Sequence, residues 1–292
     1  MPTLFRTAAG ACASLAGAVL LAPSATAAPA HHEYVALGDS WAADSTLSNI
    51  STQHVPLGCG QSAANYPKQV AAALEVAVFR DATCGAATTV DMTAPQRLPV
   101  STNAPQFDRL TPTTDLVTIG IGGNDAGLAD AVTTCLTTNP VVSPCQTTWV
   151  PGGVDAMSAS IRAAEPAVVA VLNGIKARAP HARILVLDYF KSVGERGCFA
   201  SIPISDTDAA WIGHKMIELN AMLARAAAAT GVELVNTYAT SDGHDGCQPP
   251  GTRWVEGLIP MSHTPPGPAV PFHPNQLGAD HQARSVLATL GK

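Results

Sequence analysis

Five short runs of apolar and β-prone residues, Tyr34–Leu37, Val76–Phe79, Leu116–Ile121, Arg183–Leu187 and Val232–Val235, alternate along this chain with stretches of helical periodicity. Several runs are apolar on both faces, as a strand buried between two helical layers must be. Helical patterns fall between and after them at Tyr66–Leu74, Val154–Ala179, Asp208–Ala229 and Asn275–Leu290. This alternation predicts an α/β fold around a parallel sheet. Pro166 is expected to kink or split the longest helix, because proline removes a backbone donor there. Gly243–Pro271, rich in Pro and Gly, is expected to be a long ordered loop, a feature that usually carries function.

The chain begins with a weakly basic Arg6, an uncharged small apolar stretch from Ala8 to Ala22, and an A-x-A site at Ala25-Thr26-Ala27. Residues 1–27 therefore read as a secretory leader, and residues 31–292 as one domain. The apolar stretch falls short of the ~20 residues that span a bilayer, and no transmembrane anchor is expected. Beyond the leader, 15 Lys and Arg stand against 22 Asp and Glu, with no basic cluster. That balance argues against nucleic acid as a partner. Cys12 leaves with the leader, and Cys59, Cys84, Cys135, Cys145, Cys198 and Cys247 remain. An even set in an exported chain points to three disulfides, although residue types alone leave the pairing open. Zinc is disfavoured because no two of these cysteines have ligand spacing. No metal or other cofactor is expected.

Ligands of open parallel sheets bind at the carboxyl ends of the strands. Three small polar turns follow three of the predicted strands: Gly38-Asp39-Ser40, Thr83–Thr89 ("TCGAATT") and Gly122–Asp125 ("GGND"). Gly-Asp-Ser is also a common strand-to-helix cap. Asn124-Asp125 has a similarly plain reading, as the N-cap of a helix starting near Ala126. The chemical reading is a serine nucleophile at Ser40. Its oxyanion donors would be the Asn124 amide, the Ser40 N–H and the N–H of Gly85 or Ala86. A base is then needed. Of nine histidines, His244 and His273 are the serious candidates. His244 lies close to Cys247, which suits a structural role in a stapled loop. His273 sits on a Pro-flanked segment just ahead of the last helix, with Asn275 as its cap.

Four blocks in order, "GDSW", "CGAATT", "GGND" and "FHPN", resemble the SGNH (GDSL) hydrolase superfamily, and most closely its secreted actinobacterial lipases and esterases. The resemblance spans Gly38 to Asn275. It implies a three-layer α/β/α, flavodoxin-like domain with a central parallel sheet of about five strands. It also implies ester hydrolysis, with Ser40 as nucleophile, His273 as general base, and Asn124 with two backbone N–H groups as the oxyanion hole. Relatives suggest a disulfide ladder of sequence neighbours, Cys59–Cys84, Cys135–Cys145 and Cys198–Cys247. The short Cys135–Cys145 loop makes local closure inexpensive.

Two departures stand out. Relatives carry glycine at the position of Ala86. An alanine can donate its N–H equally well from an ordinary backbone conformation. Many relatives also carry Asp three residues before the histidine, where this chain has Val270, and no carboxylate occurs from Thr264 to Gln276. A backbone carbonyl, that of Val270, is the expected partner of the His273 Nδ1–H.

The leading function is thus secreted ester hydrolysis of small-molecule or lipid acyl esters by a monomer. A phospholipase, a carbohydrate acetylesterase on the same fold, and a non-catalytic secreted binding protein are the alternatives. Trp41, Trp149, Phe199 and Trp254 are candidates to line an acyl trough, although core packing is the commoner fate of such residues.

Overall fold

The computed structural model describes residues 1–3, 31–259, 261–263 and 266–292. The leader reading, apart from its first three residues, lies outside them, as do Arg6 and Cys12. Five parallel strands form the central sheet: β1 (Glu33–Gly38), β2 (Val78–Asp81), β5 (Leu116–Gly120), β6 (Arg183–Leu187) and β7 (Glu233–Val235). Two small antiparallel pairs also occur among the described residues, β3–β4 (Gln96–Leu98 and Ser101–Asn103) and β8–β9 (Met261–His263 and Pro266–Pro268). The α-helices among the described residues are α1 (Ser40–Ala43), α2 (Tyr66–Leu74), α3 (Leu128–Thr134), α4 (Pro144–Trp149), α5 (Ala156–Arg178), α6 (Asp206–Thr230) and α7 (Gln276–Thr289).

The sheet order is β2-β1-β5-β6-β7. The chain therefore leaves β1 outward to β2 and returns on the other side to β5, which places a topological switch point between β1 and β5. Crevices at such points are where doubly wound sheets hold ligands. Gly38 pairs with Gly120 at the end of the β1–β5 ladder, so the segments after these strands emerge side by side.

The period-two alternation of β1 builds both layers. Val35 and Leu37 join the core beneath α5 and α6, with Ile161, Leu172 and Leu219. Tyr34 and Ala36 point the other way, against Tyr66, Val70 and Val286 of α2 and α7. Both sets are fully buried, which is why the strand reads as a continuous apolar run.

α5 runs without a break through Pro166, so of the two expected outcomes, a kink or a split, the split does not occur. Pro166 lies on the exposed face, where water can satisfy the carbonyl that proline leaves unpaired. The described residues of the Gly243–Pro271 stretch carry the β8–β9 pair. Cys59–Cys84, Cys135–Cys145 and Cys198–Cys247 are all bonded, with Cα–Cα separations of 4.4, 4.7 and 5.4 Å. Among the described residues no helix is long and apolar enough to cross a membrane.

Candidate active site

Gly38 ends β1 with φ 144°, and a Cβ there would lie 2.6 Å from both Ala42 Cβ and the Gly120 carbonyl. Only glycine lets the chain turn so sharply out of the sheet. Buried Gln106 holds the turn from both sides, accepting from the Gly38 N–H at 2.8 Å and donating to the Gly38 carbonyl at 2.9 Å. Asp39 then caps α1, its Oδ1 accepting the Trp41 N–H at 2.9 Å. Ser40 is the first residue of that helix.

His273 is held by a short antiparallel exchange with residues 254–256. Phe272 N–H donates to the Glu256 carbonyl at 3.1 Å, Glu256 N–H to the His273 carbonyl at 3.0 Å, and Asn275 N–H to the Trp254 carbonyl at 2.9 Å. Asn275 caps α7 from behind, accepting from Leu277 and Gly278 N–H. So fixed, the imidazole places Nε2 2.8 Å from Ser40 Oγ, although 233 residues separate the two. Its Nδ1 lies 2.7 Å from the main-chain carbonyl of Pro271.

The orienting group is thus a backbone carbonyl, but that of Pro271 and not of Val270. Phe272, between carbonyl and ring, has φ 59°. This left-handed residue folds the chain back so that the carbonyl two positions earlier meets the ring. Glu256 pairs with this segment through its backbone, yet its carboxylate oxygens are taken by the Arg253 guanidinium and the Asn275 amide. With Nδ1–H donated to a carbonyl, Nε2 faces Ser40 as an acceptor. That is the arrangement for general-base activation of a hydroxyl. Burial, only partly offset by the Pro271 hydrogen bond, holds the imidazole pKa below its ordinary value.

The donor side departs from the sequence reading in two places. Gly85 N–H is spent on the Cys59 carbonyl at 2.9 Å, and so cannot serve an oxyanion. Ala86 and Ser40 N–H find no acceptor among the described residues. Ala86 stands at φ 60°, the left-handed region that glycine occupies freely and alanine at a cost of about 1–2 kcal/mol. The backbone is therefore not the ordinary one assumed for alanine. Asn124 is not a helix cap: α3 starts later, with Gly127 at its N-cap. The Asn124 Nδ2 donates to the Ala87 carbonyl at 2.9 Å, which fixes the amide and leaves its second N–H for a ligand. Asp125 accepts from the Thr89 N–H at 3.0 Å. The "GGND" turn is thereby tied to the "CGAATT" turn at two points.

Sequence reasoning missed Tyr189. It follows β6, the fourth strand of the sheet, and the strand-end logic applied to three turns would have found it at the next one. Its hydroxyl accepts from the Gly123 N–H at 3.0 Å and donates to Asp39 Oδ2. A Cβ on Gly123 would lie 3.0 Å from that hydroxyl, so glycine keeps the approach open. Asp39 is buried, with no salt-bridge partner among the described residues. Desolvation outweighs the Tyr189 and Trp41 hydrogen bonds and pushes its pKa up to about 7. Burial and the Asp39 charge together hold the Tyr189 phenol well above its ordinary value, so it remains a donor.

Ser40, Asn124 and His273 open onto a cavity of about 370 Å³. Its far walls are aliphatic, including Leu128, Val132, Leu136, Ile202, Ile204 and Ile212. Of the four aromatic candidates only Trp41 lines it. Trp254 is stacked between His244 and His281, at 3.9 and 4.1 Å, which gives His244 the structural role expected of it. His281 is itself buried. Trp149 packs toward Trp211, and Phe199 stands outside on the surface. The cluster of potential metal ligands at Cys135, Cys145 and Asp208 has both sulfurs committed to a disulfide, leaving no thiolate for a metal.

Residues 36–281 match the GDSL-like lipase/acylhydrolase family. The chain belongs to that family. Lipase 2 of Streptomyces coelicolor is 39% identical over 280 residues, covering 92% of this chain and 90% of the relative. A lipase of Streptomyces rimosus is 31% identical over 290 residues, covering 95% and 96%. Among solved structures, phospholipase A1 from Streptomyces albidoflavus superposes with a TM-score of 0.70 at 27% identity, covering 89% of this chain and 99% of that one. The extracellular lipase of S. rimosus also gives 0.70, at 28% identity, covering 88% and 99%. As a GDSL-like acylhydrolase the protein is a carboxylic ester hydrolase with the three-layer α/β/α fold, and its substrate is a small-molecule ester.

Proposed function

We propose that this acylhydrolase is secreted and cleaves acyl esters through a Ser40–His273 dyad. The observation that carries the reading is the 2.8 Å contact between Ser40 Oγ and His273 Nε2 at the polar end of an aliphatic cavity. Ser40 Oγ attacks the ester carbonyl as its proton passes to Nε2. The tetrahedral oxyanion is met by the Asn124 amide and the N–H groups of Ser40 and Ala86. Collapse expels the alcohol, which takes the proton from His273. Water, deprotonated in turn by His273, releases the acid. The acyl chain lies along the aliphatic wall. Secretion is supported by the leader pattern over residues 1–27, by three disulfides, and by similarity to an extracellular lipase.

Fluorophosphonate labelling with peptide mapping tests the nucleophile directly: the adduct is expected on Ser40. Ser40→Ala should lower kcat by roughly 10⁴–10⁶-fold while the protein stays folded. A folded variant that keeps more than about a tenth of the parent activity sinks the assignment.

A further inference from the structure

Three surface segments frame the aliphatic cavity, and they are joined to one another. Thr137 N–H donates to the Pro203 carbonyl at 2.8 Å, and Ser143 Oγ meets Ser205 Oγ at 2.8 Å. Leu258 N–H donates to the Ser201 carbonyl at 2.9 Å. The loop closed by Cys135–Cys145 is thus fastened to the segment after Cys198, and that segment to the loop after Glu256. Each turns apolar side chains inward as cavity wall: Leu136 from the first, Ile202 and Ile204 from the second, Leu258 from the third.

Each also turns apolar side chains outward. Val141 is 85% exposed on the first, Phe199 46% on the second, and Ile259 80% on the third. Val142 and Met261 are exposed beside them. Across residues 137–143, 198–204 and 257–263 the sequence holds no Lys, Arg, Asp or Glu, and His263 is the only ionisable side chain apart from disulfide-bonded Cys198. Single exposed aliphatics need no explanation, but several at one rim do. Two of the three segments are stapled by disulfides, so the exposed residues are presented on a braced frame.

We propose that this rim is a docking surface for the interface of an uncharged or zwitterionic lipid aggregate. The rim is continuous with the cavity wall through Leu258, which is both cavity lining and partly exposed. An acyl chain drawn from an aggregate would pass from one apolar phase into another without crossing water. The three segments themselves carry no cation, and Arg196 beside the second, 84% exposed, is paired with Asp206 at 3.2 Å; an anionic surface therefore has little here to meet, whereas an apolar surface is matched by burial of area alone. The inference rests on the reading that the cavity beside Ser40 receives an acyl chain.

The test uses Ser40→Ala protein, so that vesicles are not consumed, with phosphatidylcholine vesicles in a sedimentation assay. The parent should partition onto them. Val141→Asp with Ile259→Asp should lower partitioning by roughly tenfold or more. Both side chains are largely exposed, so the fold should persist, and the melting temperature checks it. The same pair in the active enzyme should leave hydrolysis of a monomeric short-chain ester within about twofold of the parent. Val100→Asp, at the exposed β3–β4 turn, adds charge away from the rim and should change nothing.

Three results would overturn the proposal: a parent that ignores phosphatidylcholine vesicles, a double variant that binds like the parent, or binding that appears only when anionic lipid is added. Retained activity of Ser40→Ala on the monomeric ester would instead count against the catalytic reading, which separates the two failures. Phe199→Ser, predicted to weaken partitioning in the same direction, gives an uncharged second variant.

Discussion

The His273 Nδ1–H is donated to the carbonyl of Pro271, 2.7 Å away and two residues back on the same strand of chain. In the proposed dyad a main-chain dipole takes the place of the buried carboxylate of a Ser-His-Asp triad. It fixes the tautomer, and it stabilises the imidazolium less than a full charge would.

No single carboxylate should then be essential for the base. His273→Ala is expected to remove nearly all activity. Changing Asp39, Asp125, Asp245, Glu256 or Asp280 to its amide, one at a time, should not reproduce that loss in kcat. An amide variant as inactive as His273→Ala, yet folded, would point to a carboxylate partner.

The pH profile follows from burial of the same ring. As the proposed base, His273 works only when neutral, and burial holds its pKa below the ordinary 6.5. Activity is lost as pH falls through that lowered value. The acid limb of kcat/KM on a soluble ester should therefore have its midpoint below 6.5. A midpoint above it would mean that the imidazolium is stabilised by a charge.

Asn124 should act on the transition state. Asn124→Ala is expected to cost about 10²–10³-fold in kcat with little change in KM. It also removes the bond to the Ala87 carbonyl, so the melting temperature should be measured on the same sample. A fall in stability with kcat intact would reduce Asn124 to a tie between two turns.

Asp39 should make folding stability depend on pH in the unusual direction for a carboxylate. Its pKa rises from 3.8 to about 7 on folding. Between those values the folded state holds a proton that the unfolded chain has lost, so stability falls as pH rises from about 4 to 7. Melting temperatures across that range should decline for the parent and be flatter for Asp39→Asn. Equal slopes would show that Asp39 is ionised throughout. Tyr189→Phe removes the donor to Asp39 and the acceptor of the Gly123 N–H, and should steepen the decline.

Some of this molecule is legible without coordinates. Apolar runs such as Tyr34–Leu37 announce buried parallel strands, because burial on both faces leaves no room for polar alternation. The turns that follow them mark the functional edge, because strand direction decides where helices leave the sheet. Asn275 reads as a cap from local chemistry alone, and N-capping is a local event. Other features depend on partners far along the chain. The Ser40–His273 contact spans 233 residues, and local pattern carries no distance of that kind. Tyr189 meets Asp39 and Gly123 only because β6 lies beside β5. The choice of Pro271 over Val270 turns on one left-handed residue, Phe272, where nothing in the residue type announces a positive φ. Gly85 is ruled out as an oxyanion donor by the Cys59 carbonyl, a partner 26 residues away brought in by the fold. Residue types and their periods thus determined the layers, the strand ends and the chemical groups available there. Tertiary packing decided which of those groups face one another, because hydrogen bonds and desolvation act over a few ångströms in space and are indifferent to separation along the chain.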